Sequence, residues 1–434
     1  MRPTKRLLFL LFLWILLGLV VSIVTDYGHL WSWMGFGLLI LSIFDLLLTA
    51  TRKPISLERQ LPGKFALGVP QDITLTLRNP GAERARVLLF DGIPPEIEEE
   101  AMPWEGRIPG KGFLQIQYSA RLMKRGNLPF QPAHLLRWSP FGLWHSVSHV
   151  GESQTTSVYP NYEPVIRYSL LALANRQDSM GIVHRNRQGM SKEFHQLRDY
   201  TPGDVLSQVD WKATSRRLEL VSREYREERD QTLIALIDSG RRMRAIDGEL
   251  PQFDHCLNAV LLMSFIALKQ GDQVGALSFG GTDHWLPPVK GSHAMPGILN
   301  HLYDYQTTRQ PSDFAEAAER LTLYQKRRAM VVILTNLRAE DANDLVPAVR
   351  LLQKTHLVMV ASLRERSVRE TMASRVEDLE GALRYGATSL YLEERRDLFE
   401  QMRRKGVLTV DEEPNLLPVA LTNAYLDAKY SGRI

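Results

Sequence analysis

Residues 231–238, QTLIALID, form an unbroken apolar run that ends in Asp238-Ser239-Gly240. A strand buried on both faces of a parallel sheet reads this way, because neither face alternates with solvent. Downstream, FDHCLNAVLLMSFIALKQ (253–270) repeats its apolar positions at the helical period, and Gly271 is placed to stop that helix. QVGALSF (273–279), AMVVILTNL (329–337), HLVMVASL (356–363) and VLTVDE (407–412) predict further strands. Helices are expected over 313–326, 341–354, 376–405 and 416–429, the third broken near Gly381 or Gly386. Strands alternating with helices imply a Rossmann-type α/β domain over 231–434, its parallel sheet covered on both faces. Ligands of such sheets bind beyond the carboxyl ends of the strands. Here those ends carry Asp238-Ser239-Gly240, Ser278-Phe279-Gly280-Gly281 and Thr335-Asn336. The chain has no Gly-x-x-x-x-Gly-Lys-Ser/Thr loop, no Gly-x-Ser-x-Gly elbow and no dinucleotide fingerprint. Nucleotide enzymes and serine hydrolases lose weight accordingly.

Upstream the period changes. DITLTLR (72–78) alternates strictly, as a half-buried strand does, and RVLLFDG (86–92), FLQIQYSARL (113–122) and HSVSHV (145–150) read similarly. Asn79-Pro80-Gly81, Pro94-Pro95, Pro109-Gly110 and Arg125-Gly126-Asn127 supply turns between them. A β-sandwich-like domain over 54–165 follows from this spacing. His134, His145 and His149 are not spaced like a metal site.

Earlier still lie LLFLLFLWILLGLVVSIV (7–24), without a charge, and LWSWMGFGLLILSIFDLLLTA (30–50), with only Asp45. Each approaches the ~20 residues that cross a ~30 Å hydrocarbon core, and inside lipid both must be helices. The short connector Thr25-Asp26-Tyr27-Gly28-His29 makes them a transmembrane hairpin over 1–53. Arg2, Lys5 and Arg6 precede the first span, Arg52 and Lys53 follow the second, and the connector has no basic residue among Lys and Arg. The positive-inside rule then puts both ends in the cytoplasm, with Trp31 and Trp33 in an outer aromatic belt. A cleaved signal peptide would share the basic start. It would lack the second span, and no small-x-small site follows the first. Asp45 is expected to snorkel toward Arg52 and Lys53.

Composition narrows the rest. At 434 residues the chain is too long for one core. Its net charge of +4 comes as scattered Arg pairs rather than a basic stripe with aromatics, which argues against nucleic acid. Cys256 is the sole cysteine, on the apolar face of a predicted helix, so it reads as a buried structural thiol with no disulfide available.

The most distinctive stretch is EFHQLRDYTPGDVLSQVDWKATSRRLELVSREY (193–225), within a segment (166–230) that links the two soluble domains. Its Arg198, Tyr200, Gly203, Asp204, Val209, Asp210, Trp211, Thr214, Arg216 and Leu218 are spaced as in the bacterial and archaeal family called domain of unknown function 58, which the chain resembles. Arg125-Gly126 followed by Pro140 to Leu143, the two N-terminal spans and the β-rich segment look like that family as well. The resemblance implies that the C-terminal domain is similar to von Willebrand factor A. It also implies a MoxR-type AAA+ ATPase as partner in assembling or activating other proteins.

Against the Asp-x-Ser-x-Ser pattern of a metal-ion-dependent adhesion site, this chain has Asp238-Ser239-Gly240-Arg241-Arg242, so both serine ligands are missing. Ser312, before Asp313, is the nearest counterpart of the threonine ligand, and Asn336 replaces the later aspartate. Magnesium asks for near-octahedral oxygen coordination, so no metal and no cofactor is expected here. In the motif, Asp204 and Asp210 are expected to pair with Arg198, Arg216 or Arg217 around Trp211 as a latch or docking element. His195 and the two acids could alternatively do metal-dependent hydrolysis.

The resulting expectation is a membrane-anchored cytoplasmic scaffold of the bacterial inner or plasma membrane that binds other proteins and has no catalytic residues. The alternatives are a hydrolase using Asp204 and Asp210, and a structural membrane organiser without an ATPase partner.

Overall fold

The architecture is that of a computed structural model, which describes all residues except 24–27, 96, 100, 174–192, 202–206, 208, 227–230 and 282. The chain divides into two compact units, Met1–Val158 and Tyr159–Ile434.

In the first unit, β1 (Arg2–Pro3) is followed by α1 (Lys5–Ile23) and α2 (Gly28–Ala50), two helices long and apolar enough to cross a membrane. At 1.5 Å per residue they measure roughly 28 and 34 Å. They are clasped by Trp14 and Trp31, whose rings stack 4.5 Å apart. Each indole donates to the other residue's carbonyl, Trp14 Nε1 at 3.2 Å and Trp31 Nε1 at 3.0 Å, which satisfies both N–H groups without water. Gly35 leaves the space: a Cβ there would lie 2.5 Å from the Trp14 ring. Trp31 therefore clasps the two helices, whereas Trp33 is exposed.

The strands that follow are β2 (Ser56–Gln60), β3 (Phe65–Ala66), β4 (Pro70–Asn79), β5 (Ala85–Gly92), β6 (Ile97–Glu98), β7 (Trp104–Ile108), β8 (Gly112–Leu122), β9 (Gly126–Trp138), β10 (Trp144–Val150) and β11 (Gln154–Tyr159). One sheet has the order β2-β4-β8-β6, and the other runs β1-β10-β9-β11-β3, with β5 on β9 and β7 on β5. Alternate residues such as Ile73, Leu75 and Leu77 are fully buried, the period-2 signature of a pleated sheet with one inward face. Arg59 on β2 and Tyr118 on β8 both donate to the buried Asp91 on β5, Tyr118 Oη at 2.6 Å, and so tie the two sheets together internally.

Asp45 does not snorkel. It is buried and accepts from Ser139 Oγ at 2.5 Å, Phe141 N at 3.1 Å and Leu143 N at 3.2 Å, all in the loop between β9 and β10. Arg52 instead pairs with Glu83 at 2.6 Å. Three donors converging on one carboxylate form a better seat than a flexible surface cation. Thr4 reaches the same loop from the other end of the hairpin, with its N 2.9 Å from the Leu143 carbonyl and its Oγ1 2.8 Å from that of Gly142. Both ends of the helical pair are thus fastened to one loop.

The second unit opens with α3 (Glu163–Leu173), then β12 (Glu193–Asp199), α4 (Trp211–Arg217) and β13 (Val221–Arg226), with β12 and β13 paired antiparallel. Next come β14 (Thr232–Asp238), a small hairpin β15 (Ile246–Asp247) and β16 (Leu250–Pro251), α5 (Gln252–Lys269), β17 (Gln273–Phe279), β18 (Trp285–Lys290), α6 (Met295–Tyr303) and α7 (Phe314–Tyr324). The chain ends with β19 (Met330–Thr335), α8 (Ala342–Gln353), β20 (Leu357–Leu363), α9 (Arg366–Ala373), α10 (Leu379–Arg404), β21 (Leu408–Glu412) and α11 (Leu417–Tyr430). Six strands form one sheet in the order β18-β17-β14-β19-β20-β21. All neighbours are parallel except the edge strand β18, which runs antiparallel to β17. One apolar core packs α5, α6 and α11 on one face, and a second packs α7, α8 and the end of α10 on the other. Cys256 is buried in the first of these, and burial pushes its thiol well above the usual range, so it is inert. Contrary to the predicted break, α10 runs unbroken through Gly381 and Gly386.

Candidate functional site

Strand order along the sheet reverses at β14, so the crevice at the carboxyl ends of β14 and β19 is the topological switch point where such sheets bind ligands. Asp238 ends β14 there and is buried. Its carboxylate accepts from Ser312 Oγ at 2.5 Å, Thr335 Oγ1 at 2.7 Å and Gly240 N at 2.8 Å. Burial raises its pKa, and the hydrogen bonds from Ser312, Thr335 and Gly240 act in the opposite direction. Ser239 turns away and donates to the Phe279 carbonyl at 2.7 Å. Gly240 is required where it stands, because a Cβ would lie 2.2 Å from Ser312 Oγ. The room that a serine would need at position 240 is already filled by the Ser312 hydroxyl. Arg242 pairs with Glu340 at 2.7 Å and with Asp341, and its charge also favours the ionised form of Asp238.

The polar row continues across the sheet end. Asn336 Nδ2 donates to Gln252 Oε1 at 2.9 Å and to Glu365 Oε1 at 2.6 Å. Tyr391 Oη lies 3.2 Å from Glu365 Oε2 and accepts from Arg395 Nη1 at 3.1 Å. Arg395, buried, reaches Asp411 Oδ1 at 2.7 Å, Ser362 Oγ at 2.7 Å and the Leu363 carbonyl at 2.7 Å. One hydrogen-bonded chain thus joins the ends of β19, β20 and β21, beside the Asp238 cluster. Of its members only Asn336 was legible in the sequence. Gln252, Glu365, Tyr391, Arg395 and Asp411 carry no local signal.

The buried Asp238 gives a signed prediction. A carboxyl whose folded pKa is raised makes the fold most stable below the unfolded range, about 3.9, and less so as pH rises through the folded value. Asp238→Asn removes that titration. The unfolding midpoint of Asp238→Asn relative to wild type should therefore rise between pH 4 and pH 7 in paired thermal scans. A constant offset would show that Asp238 stays charged throughout.

The motif residues sit apart from this row, on the β12–β13 hairpin. Asp210 caps α4, accepting from Lys212 N and Ala213 N at 3.0 Å each, and pairs with Arg223 at 2.9 Å. The Arg223 hydrogen bond and the Ala213 amide hold its pKa low. At Asp210 the ion pair is with Arg223 rather than with Arg198, Arg216 or Arg217; Arg198 donates to Thr201 Oγ1 at 2.7 Å, and Arg217 lies 3.9 Å from Asp199. Arg216 is exposed. Trp211 is exposed rather than filling an interface. Tyr200 N donates to the Leu220 carbonyl at 2.9 Å across the hairpin base. Gly203 and Asp204 lie outside the described residues, as does the side chain of His195. In the first unit, His134 and His149 face each other across β9 and β10 with rings 4.5 Å apart, while His145 packs on Trp138.

Residues 196–405 match the family described as "Protein of unknown function DUF58". The match begins within β12 and ends just after α10, so it holds most of the hairpin and the sheet-end row as far as Arg395, but not Asp411. A curated relative, the "Uncharacterized protein YeaD" of Bacillus subtilis (strain 168), is 23% identical over 236 residues, which is 53% of this chain and 56% of that protein. The chain thus matches little more than half the length of that relative. Among solved structures, native alpha-2-macroglobulin from Escherichia coli (domain MG7 to the C-terminus) is similar at a TM-score of 0.23, with 15% identity over 25% of this chain and 17% of that one. The FixG-related protein from Vibrio parahaemolyticus is similar at 0.18, with 9% identity over 24% of this chain and 94% of that one.

Proposed function

We propose that this chain is a membrane-anchored scaffold or adaptor that binds other proteins and works with a MoxR-type AAA+ ATPase in protein assembly or activation. In this reading α1 and α2 span the bacterial inner or plasma membrane as a hairpin with both soluble units in the cytoplasm. Arg2, Lys5, Arg6, Arg52 and Lys53 at the hairpin ends support that orientation. The second unit is read as von Willebrand factor A-like. The position of Asp238 at the switch point supports this, as does the strand order, which is 3-2-1-4-5-6 when the six strands are numbered along the chain.

One observation carries the scaffold reading. The last third of α10 is packed into the unit through Leu398, Phe399 and Met402, whereas residues 379–390 are largely exposed. There Leu379, Leu383 and Leu390 are 76%, 66% and 57% exposed. At 100° per residue these three lie within about 40° of one another, so they form one apolar stripe. Isolated surface leucines are ordinary, but an aligned row on an otherwise charged helix marks a docking face. The internally satisfied Asp238 fits the same reading, since its acceptor sites already hold the end of β19, the loop before α7 and its own loop together. The test is capture from native membranes with the full chain. Wild type should recover an AAA+ ATPase. Leu379→Glu, Leu383→Glu and Leu390→Glu together should cut recovery about tenfold or more without lowering the unfolding midpoint. Equal recovery by the variant would reject the docking face. If no ATPase is recovered at all, the structural organiser is favoured.

A further inference from the structure

We infer that α4 and the turn after it form a second, peripheral membrane contact, one that recognises anionic lipid headgroups through Lys212, Arg216 and Arg217 and buries Trp211, Leu218 and Leu220 among the outer acyl segments. This rests on the proposal that α1 and α2 hold the chain at a bilayer.

Three apolar side chains crowd this short stretch, and all are in solvent: Trp211 is 63% exposed, Leu218 89% and Leu220 45%. Leu218 caps α4 with φ +61°, a left-handed conformation that a leucine adopts only at a cost and that glycine would take freely. Its N–H donates to the Thr214 carbonyl at 2.9 Å, so the strained residue is held in place with its side chain outward. A leucine kept in a strained, exposed position contributes nothing to the unit's own core, so its contact lies elsewhere.

Charge selects the occupant. Between Trp211 and Arg217 the sequence WKATSRR carries three basic residues and no acid. Among the described acids near α4, Asp210 is held by Arg223 and the α4 amides, and Asp199 stands 3.9 Å from Arg217, which leaves Glu219 between the leucines. Tryptophan and leucine beside lysine and arginine is the composition of an interfacial lipid contact: the indole prefers the headgroup level and the basic groups meet anionic lipid. A chain already tethered to the bilayer needs little intrinsic affinity for such a contact, because tethering raises the local concentration.

The test uses the full chain in nanodiscs of phosphatidylcholine alone or with phosphatidylglycerol. Leu218→Cys carries a nitroxide; Cys256 is buried and will not label. Leu323→Cys on α7, 72% exposed, is the aqueous control, and Leu39→Cys on α2 reports the span itself. The ratio of oxygen to nickel-chelate accessibility at position 218 should rise about threefold with phosphatidylglycerol, and Lys212→Gln, Arg216→Gln and Arg217→Gln together should abolish the rise. If position 218 matches 323 in both lipids while 39 reads lipid, the peripheral contact is refuted and the span stands. An aqueous reading at 39 would refute the span, and the contact with it. Burial of 218 only on adding an acidic protein would mean that the patch serves a protein partner instead, which also overturns the proposal.

Discussion

Replacing Asp45 by alanine should detach the helical hairpin from the first unit and lower that unit's unfolding midpoint by roughly 10 °C. The buried carboxylate accepts from Ser139 Oγ, Phe141 N and Leu143 N. Alanine leaves all three donors without that acceptor, the Ser139 hydroxyl and Leu143 N–H in buried positions and the Phe141 N–H in a part-buried one. Each orphaned donor costs about 1–3 kcal/mol, so the three together cost at least about 3 kcal/mol. At about 2–4 °C per kcal/mol for a unit of this size, the shift is large enough to read in a detergent-solubilised thermal scan. Detachment has its own readout: protease should cut near Arg52 and Lys53 in the variant well before it does in wild type. Asp45→Asn keeps one acceptor oxygen and should fall between the two. If Asp45 merely snorkelled toward surface cations, alanine and asparagine would behave alike and both effects would be small.

That contrast also marks what could be read from the chain. Periodicity is local, so the hairpin helices, β4, β5, β8 and the sheet strands β14, β17, β19, β20 and β21 were legible within a few residues. The strand β9 was not, because Pro129 and Pro132 sit inside it and proline marks a broken or edge strand. The antiparallel edge β18 hid behind Pro287 and Pro288 for the same reason. Gly381 and Gly386 suggested a broken α10, yet the helix continues: each glycine costs about 1 kcal/mol there, which neighbouring helix formers and a packed end can outweigh. Partners across the fold leave no such trace. Asp45 finds Ser139 94 residues away, Asp238 finds Thr335 97 away and Asn336 finds Gln252 84 away. Asp238 and Asn336 could be named as site residues from the sequence, but what they bind to could not.

Arg395→Ala should produce a loss of similar size in the second unit, about 3–5 kcal/mol. The guanidinium is buried against the sheet end and donates to Asp411, Ser362, Tyr391 and the carbonyls of Leu337 and Leu363. Alanine removes the cation that pairs with Asp411 and takes a donor from the Leu337 and Leu363 carbonyls. Lysine keeps the charge but not the planar fork, and one ammonium cannot reach acceptors spread around the group, so Arg395→Lys should recover less than half of the loss. The effect should also be local before it is global. Arg395 pins the point where α10 leaves the packed face, so amide hydrogen exchange should rise first over the second half of α10 and over β21. The exposed stripe at Leu379, Leu383 and Leu390 depends on that pin for its direction. Arg395→Ala should therefore lose partner capture together with stability, whereas the leucine-to-glutamate variants lose capture at full stability. If Arg395→Ala unfolds earlier yet still captures partners normally at low temperature, the outer half of α10 docks without help from the sheet-end row, and the two features are independent.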